Sequence, residues 1–235
     1  MTELFVLFFV PFIGTMLGSA AVFFLPKGLG VKTEKVVLGF ASGVMIAASV
    51  WSLLLPAIES SSYYTAAFGF LLGIIFLLVL DFVIPHLHPH AETPEGPKSK
   101  ISKSILLIFS VTLHNIPEGM AVGAAAAVSF ATGSPVPMAS ALALSIGIAL
   151  QNLPEGMVVA MPLLENGKKK WKAFGLGTLS GIVEPIGSFV AFFTLRALRA
   201  GGAGIAFVAL VAFFALRALR AGGTGDAAAF DHNLV

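Results

Sequence analysis

The stretch SILLIFSVTLHNIPEGMAVGAAAAV, residues 104–128, is apolar enough and long enough to cross a bilayer as a helix, yet it carries His114 and Glu118 near its middle. Residues 138–163 repeat the feature. There, Gln151-Asn152-Leu153-Pro154-Glu155-Gly156 matches His114-Asn115-Ile116-Pro117-Glu118-Gly119 position by position, as polar-Asn-apolar-Pro-Glu-Gly, at an offset of 37 residues. Ionisable side chains in mid-membrane are costly and by default mark a site or a pathway. Two copies on consecutive, hence antiparallel, helices predict a polar site buried between them.

Each hexad position has a physical reading. Residues four apart share a helix face, so His114 can act with Glu118, and Gln151 with Glu155. Asn115 and Asn152 are rotated by about 100° along the same wall. Pro117 and Pro154 each remove a backbone N–H, which frees the carbonyls of Leu113 and Leu150, and the closing glycine admits a neighbouring helix. If the two faces meet, Glu118 and Glu155 repel unless a cation or a proton lies between them. Glu184, inside the apolar run around Gly181–Gly187, adds a third carboxylate with the same need. One imidazole, carboxylates and amides, with Met45 of the second span as the thioether, suit a borderline divalent transition ion, and the chain has no cysteine to offer a thiolate. Amides alone can bond helices together structurally, but that reading leaves the glutamate at both fifth positions unexplained.

Outward from the hexads, the composition is that of a membrane protein. Hydrophobic residues make up 57% of the chain and charged ones 11%, with a mean hydropathy of +0.95, so too little polar surface exists to cover a soluble fold of this size. Apolar runs near 4–25, 36–57, 64–84, 104–128, 138–163 and 172–195, with a weaker seventh near 203–216, predict an all-α, polytopic transmembrane bundle. The first run has no basic residue before it and contains Pro11, Gly14 and Gly18, and so reads as a span rather than a cleaved leader. Lysines alternate from loop to loop: Lys27, Lys32 and Lys35; Lys98, Lys100 and Lys103; Lys168, Lys169, Lys170 and Lys172. Loops 58–63 and 129–137 have none. Basic loops stay inside, which predicts a multi-pass cell-membrane protein with its N-terminus outside. A net charge of +2 is too small to point to nucleic acid as a partner, and none is expected.

Two regions stand apart. The loop 85–103 carries His86, His88 and His90 beside Glu92 and Glu95, a tract that either collects metal at the cytoplasmic face or is only a solvated connection. Asp81, at the inner end of the third span, reads either as part of an exit path or as an interfacial anchor. Beyond residue 191, Phe192–Gly202 recurs nearly unchanged as Phe213–Gly223, an offset of 21 residues. This divides the chain into a transmembrane bundle, 1–195, and an atypical duplicated segment, 196–235.

With these motifs in place, the chain resembles the ZIP family of divalent metal transporters, in the form that carries HNxPEG followed by QNxPEG; the likeness runs over roughly residues 4 to 190. The resemblance implies an eight-helix bundle with both termini outside and a two-metal centre between the fourth and fifth helices. It implies a transport site of Met45, His114, Glu118, Gln151 and Glu155. It also implies a second site of Asn115, Glu118, Asn152, Glu155 and Glu184, with both hexad glutamates bridging. The transported ion would be Zn2+, with Cd2+, Fe2+ and Mn2+ as other candidates, and a second copy of the chain, in a homodimer, would be its protein partner. After Phe192 the family's acidic seventh-span ending and its eighth span find no match. The rival reading, an intramembrane metal hydrolase, needs an open ligand position and a lateral way in, and no nucleophile motif is present.

Overall fold

The computed structural model describes residues 2–25, 30–87, 94, 96–97, 100–132 and 135–199, and every regular element among them is helical. We number the α-helices α1 (Thr2–Ser19), α2 (Val31–Ala47), α3 (Leu55–Ser60), α4 (Tyr63–Val83), α5 (Lys103–Thr132), α6 (Pro135–Glu165), α7 (Lys170–Gly181) and α8 (Val183–Arg199). A π-helical turn, Ala48–Leu54, joins α2 to α3 into one span. Five stretches are long and apolar enough to cross a membrane: Thr2–Phe23, Lys32–Glu59, Lys103–Ala131, Met138–Glu165 and Lys170–Ala197. α4 supplies a shorter sixth, Tyr63–Val79. The protein is a multi-pass, all-helical membrane protein. Loop residues His88 and His90, the weaker seventh run and the duplicate from Ala200 onward lie outside the described residues.

Prolines set the local departures from regular helix. Pro56 has no N–H and its ring would press on the carbonyl of Ser52, so the preceding turn widens and Leu55 N–H reaches five residues back to Val50 O. Pro185 has a larger effect. The sixth span, expected as one run, is two helices: α7 closes with Ile182 N–H on Leu179 O at 3.2 Å, and α8 restarts at Val183. The restart puts Pro185 in a first turn, where its missing N–H is not needed. Glu184 thereby stands at a helix N-terminus, which favours a carboxylate. α8 then runs through Arg196, whose guanidinium lies 5.5 Å from the centre of the Phe192 ring, so the first copy of the tail repeat begins inside the bundle.

α1 packs along α6 and α8 packs along α5, while α5 and α6 touch each other; α2 flanks α6, and α4 rests chiefly on α3. The core has two main apolar layers, beside a small cluster of Ala57 and Ala66 where α3 meets α4. One holds Leu7, Phe8, Leu53, Val122, Leu144, Ile148 and Phe192. The other holds Val22, Val111, Val159, Met161, Leu163 and Ala173. Between them lies a level rich in buried polar residues, among them Thr15, Asn115, Glu118, Gln151, Asn152 and Glu184. Large side chains of α2 and α4, such as Phe40 and Phe82, are exposed, as lipid-facing residues are.

Helix pairs this close need glycine at the crossings. A Cβ at Gly119 would overlap the carbonyl oxygen of Glu184, and one at Gly156 the carbonyl oxygen of Thr15. By contrast, a Cβ at Gly39 meets nothing within 4 Å. Gly119→Ala is therefore expected to lose about 1–3 kcal/mol of stability through overpacking, whereas Gly39→Ala should match or exceed the wild type; thermal unfolding of the two variants in detergent checks the contrast.

Candidate metal centre

The site begins with helix pairing. α5 and α6 bring the hexads together, and Gln151 Nε2 donates to Glu118 Oε1 at 2.6 Å, so the first position of one hexad holds the fifth of the other. Gln151 Nε2 also lies 3.4 Å from Asn152 Oδ1. Glu184 accepts from Thr15 Oγ1 at 2.6 Å and from Asn152 Nδ2 at 2.8 Å. Thr15 was not singled out in the sequence, and it adds α1 to the wall of the site. Asn115 Nδ2 donates to Ser180 O at 3.0 Å, and Asn152 Nδ2 approaches Pro11 O at 3.3 Å.

These contacts follow an internal pseudo-symmetry. The hexads correspond at an offset of 37, and α1 corresponds to the α7–α8 span at an offset of 169. At that second offset Pro11 matches Ser180, Thr15 matches Glu184, and Gly18-Ser19 matches Gly187-Ser188. The equivalences hold atom by atom: Ser19 Oγ donates to Gly156 O and Ser188 Oγ to Gly119 O, at 3.4 and 2.8 Å. The two hexad asparagines likewise bond the equivalent carbonyls of Pro11 and Ser180. Because α5 and α6 are consecutive spans, the two halves are inverted relative to each other, an inverted repeat. The bond from Thr15 to Glu184 joins two equivalent residues, so the pseudo-axis passes between them. The repeat Thr-x-x-Gly-Ser and Glu-x-x-Gly-Ser was the sequence signal that could have found Thr15.

Three oxygens at this level are buried and accept no hydrogen bond: Asn115 Oδ1, Glu118 Oε2 and Glu155 Oε2. An acceptor left without a donor in low dielectric costs free energy, and such groups concentrate where function demands them. All three belong to the hexads. Met45 is buried near the end of α2, which passes into the π turn at Ala48, and His114 is half-buried on α5. Glu184 is buried, with its two oxygens taken by Thr15 and Asn152. Among the described residues, no three His, Asp or Glu side chains are grouped as a ready-made ion cage. The donor set around the hexads is thus carboxylate mixed with amide.

The accessory candidates fall differently. His86 is buried, not solvated: its Nδ1 lies 2.8 Å from Ile84 O, and Leu87 N–H bonds Leu106 O of α5 at 3.3 Å. The loop after α4 therefore starts docked on α5. His88, His90 and the side chain of Asp81 lie outside the described residues, and Asp81 belongs to α4, the helix that rests chiefly on α3.

Residues 95–215, which include both hexads, match the family profile described as ZIP zinc transporter. Human zinc transporter ZIP11 is 32% identical over 257 aligned positions, covering 73% of this chain and 75% of its own length. Zinc transporter ZIPB of Bordetella bronchiseptica is 34% identical, over 76% of this chain and 58% of its own length. Zinc transporter ZupT of Chlorobaculum parvum is 33% identical, over 79% and 71%. These likenesses leave the intramembrane hydrolase without support. The chain belongs to the ZIP family, whose members are metal transporters and not enzymes.

Proposed function

We propose that this protein carries zinc across the membrane into the cytoplasm, and that the ion crosses through the paired hexads. The observation that carries the reading is the set of three buried oxygens without donors, Asn115 Oδ1, Glu118 Oε2 and Glu155 Oε2, at the level where two hexads face each other. Zinc is favoured because ZIP11, ZIPB and ZupT are all named zinc transporters. Cadmium, iron and manganese are further candidate cargoes, since one imidazole among oxygen donors discriminates weakly.

In this reading one ion position draws on Met45, His114, Glu118, Gln151 and Glu155, and the second on Asn115, Glu118, Asn152, Glu155 and Glu184. A dication offsets the repulsion of the two hexad glutamates, which a low-dielectric setting otherwise makes costly. Gln151 turns its amide on arrival of the ion, so that its oxygen replaces the Nε2 that bonds Glu118. The asymmetric positions of the repeat, His114 against Gln151 and Glu184 against Thr15, make the two ion positions chemically unequal. The alternating lysines favour an N-terminus outside and release toward the loop that carries His86, His88 and His90. The apolar layers on either side of the hexads support alternating access around a central site.

Replacing Glu118 and Glu155 together by alanine is expected to reduce zinc flux into proteoliposomes to that of protein-free vesicles; flux at the wild-type level would remove this reading. Protons compete with metal for the same carboxylates, so flux should fall as the uptake side is acidified. A zinc-sensitive dye inside the vesicles reads that profile, and a rate that rises in acid would contradict carboxylate ligation.

A further inference from the structure

Most buried hydroxyls in the spans have a partner. Thr15 donates to Glu184, Ser19 to Gly156 O, Ser129 to Ala126 O, Ser145 to Leu7 O, Ser180 to Gly177 O and Ser188 to Gly119 O. The hydroxyls of Ser49, Ser110 and Thr178 do not. Ser49 and Ser110 are themselves 0% and 1% exposed.

The reason lies in the backbone around them. A serine inside a helix ordinarily donates to the carbonyl four residues back. For Ser110 that is Leu106 O, which also accepts Leu87 N–H at 3.3 Å. For Ser49 it is Met45 O, which takes Ala48 N–H where α2 passes into the π turn. Both hydroxyls are left as buried oxygens with lone pairs to offer.

Their positions relative to the hexads are complementary. Ser49 is one turn beyond Met45, and Ser110 one turn before His114, each about 6 Å along its helix from a proposed ligand. Ser49 stands beside the apolar layer that contains Leu53 and Ala48, and Ser110 beside the layer that contains Val111 and Ile108. Thr178, on α7, is not one turn from any proposed ligand.

We propose that Ser49 and Ser110 are transit ligands, one on each side of the centre, that bind the dehydrated metal ion briefly as it passes the two apolar layers. Ser49 passes the ion to Met45, and Ser110 takes it from His114 toward the docked turn at His86. A neutral hydroxyl suits this use. It replaces one water of the ion's shell, yet binds more weakly than a carboxylate or an imidazole, and a permeation path needs steps the ion can leave. This assignment rests on the hexads being the ion site.

The test is zinc flux into proteoliposomes for Ser49→Ala, Ser110→Ala, Ser49→Thr and Ser110→Thr, beside the Glu118→Ala/Glu155→Ala double variant. Removing an unpartnered buried hydroxyl leaves no orphan behind, so both alanine variants should unfold at or above the wild-type temperature. Flux is expected to fall about tenfold in each, with zinc affinity at the hexads unchanged, the size of loss typical when a supporting metal partner is removed. Threonine, which keeps the oxygen, should restore it. Wild-type flux in the alanine variants while the double variant is inactive would overturn the transit role alone. Failure of threonine to restore flux would overturn it too, because shape and not the hydroxyl would then matter. Flux in the double variant would instead overturn the hexad reading beneath it.

Discussion

A carboxylate in the middle of a bilayer is costly unless something meets it, and in this protein two of the three acids at the hexad level, Glu118 and Glu184, are met by groups from other helices. Glu118 of α5 takes its hydrogen bond from Gln151 of α6, and Glu184 of α8 takes two, from Thr15 of α1 and Asn152 of α6. An acid bonded only within its own helix would leave the helices free to slide. Bonded across helices, it sets their rotation and depth, because losing the bond leaves a buried polar group uncompensated. The polar layer therefore holds the bundle in register and is also the place where a cation would be welcome.

That layer is built twice. Equivalent asparagines bond equivalent carbonyls, and equivalent serines bond equivalent hexad glycines, so one packing solution serves both halves. Small residues make the solution available, since dispersion contacts between backbones replace the hydrophobic drive that lipid removes. Chemistry enters where the repeat is broken. A perfectly symmetric centre would offer an ion two identical positions with no preferred direction between them. His114 in place of a second glutamine, and Glu184 in place of a second threonine, bias one side toward nitrogen and the other toward oxygen.

Prolines free carbonyls, and the fold reuses them. Pro11 deprives Leu7 O of its helical donor, and Ser145 Oγ of α6 supplies the bond at 2.7 Å. Pro56 widens a turn just past Met45, and Pro185 divides the sixth span so that Glu184 begins a new helix. The features that would each weaken a soluble helix are the ones that aim side chains and backbone oxygens at the interior.

The sequence alone determined the class of the protein, the number and approximate places of its spans up to residue 199, and the residues of the hexads. Apolar length, loop charge and two matching six-residue patterns are local properties, and the bilayer imposes them on the chain directly. It did not disclose the break at Ile182, since hydropathy is blind to a missing N–H at Pro185. Nor did it disclose Thr15, a common residue in an apolar run until Glu184 lies 2.6 Å away. His86 read as part of a tract that either collects metal or is a solvated connection, and in the structure it is buried beside Leu87, whose N–H bonds Leu106 O. Which acid meets which donor, and which buried hydroxyls are left without one, only the tertiary structure decided. Those outcomes depend on how α1, α5, α6 and α8 rotate against each other, and their rotation is settled by contacts between residues 32 to 169 positions apart in the chain.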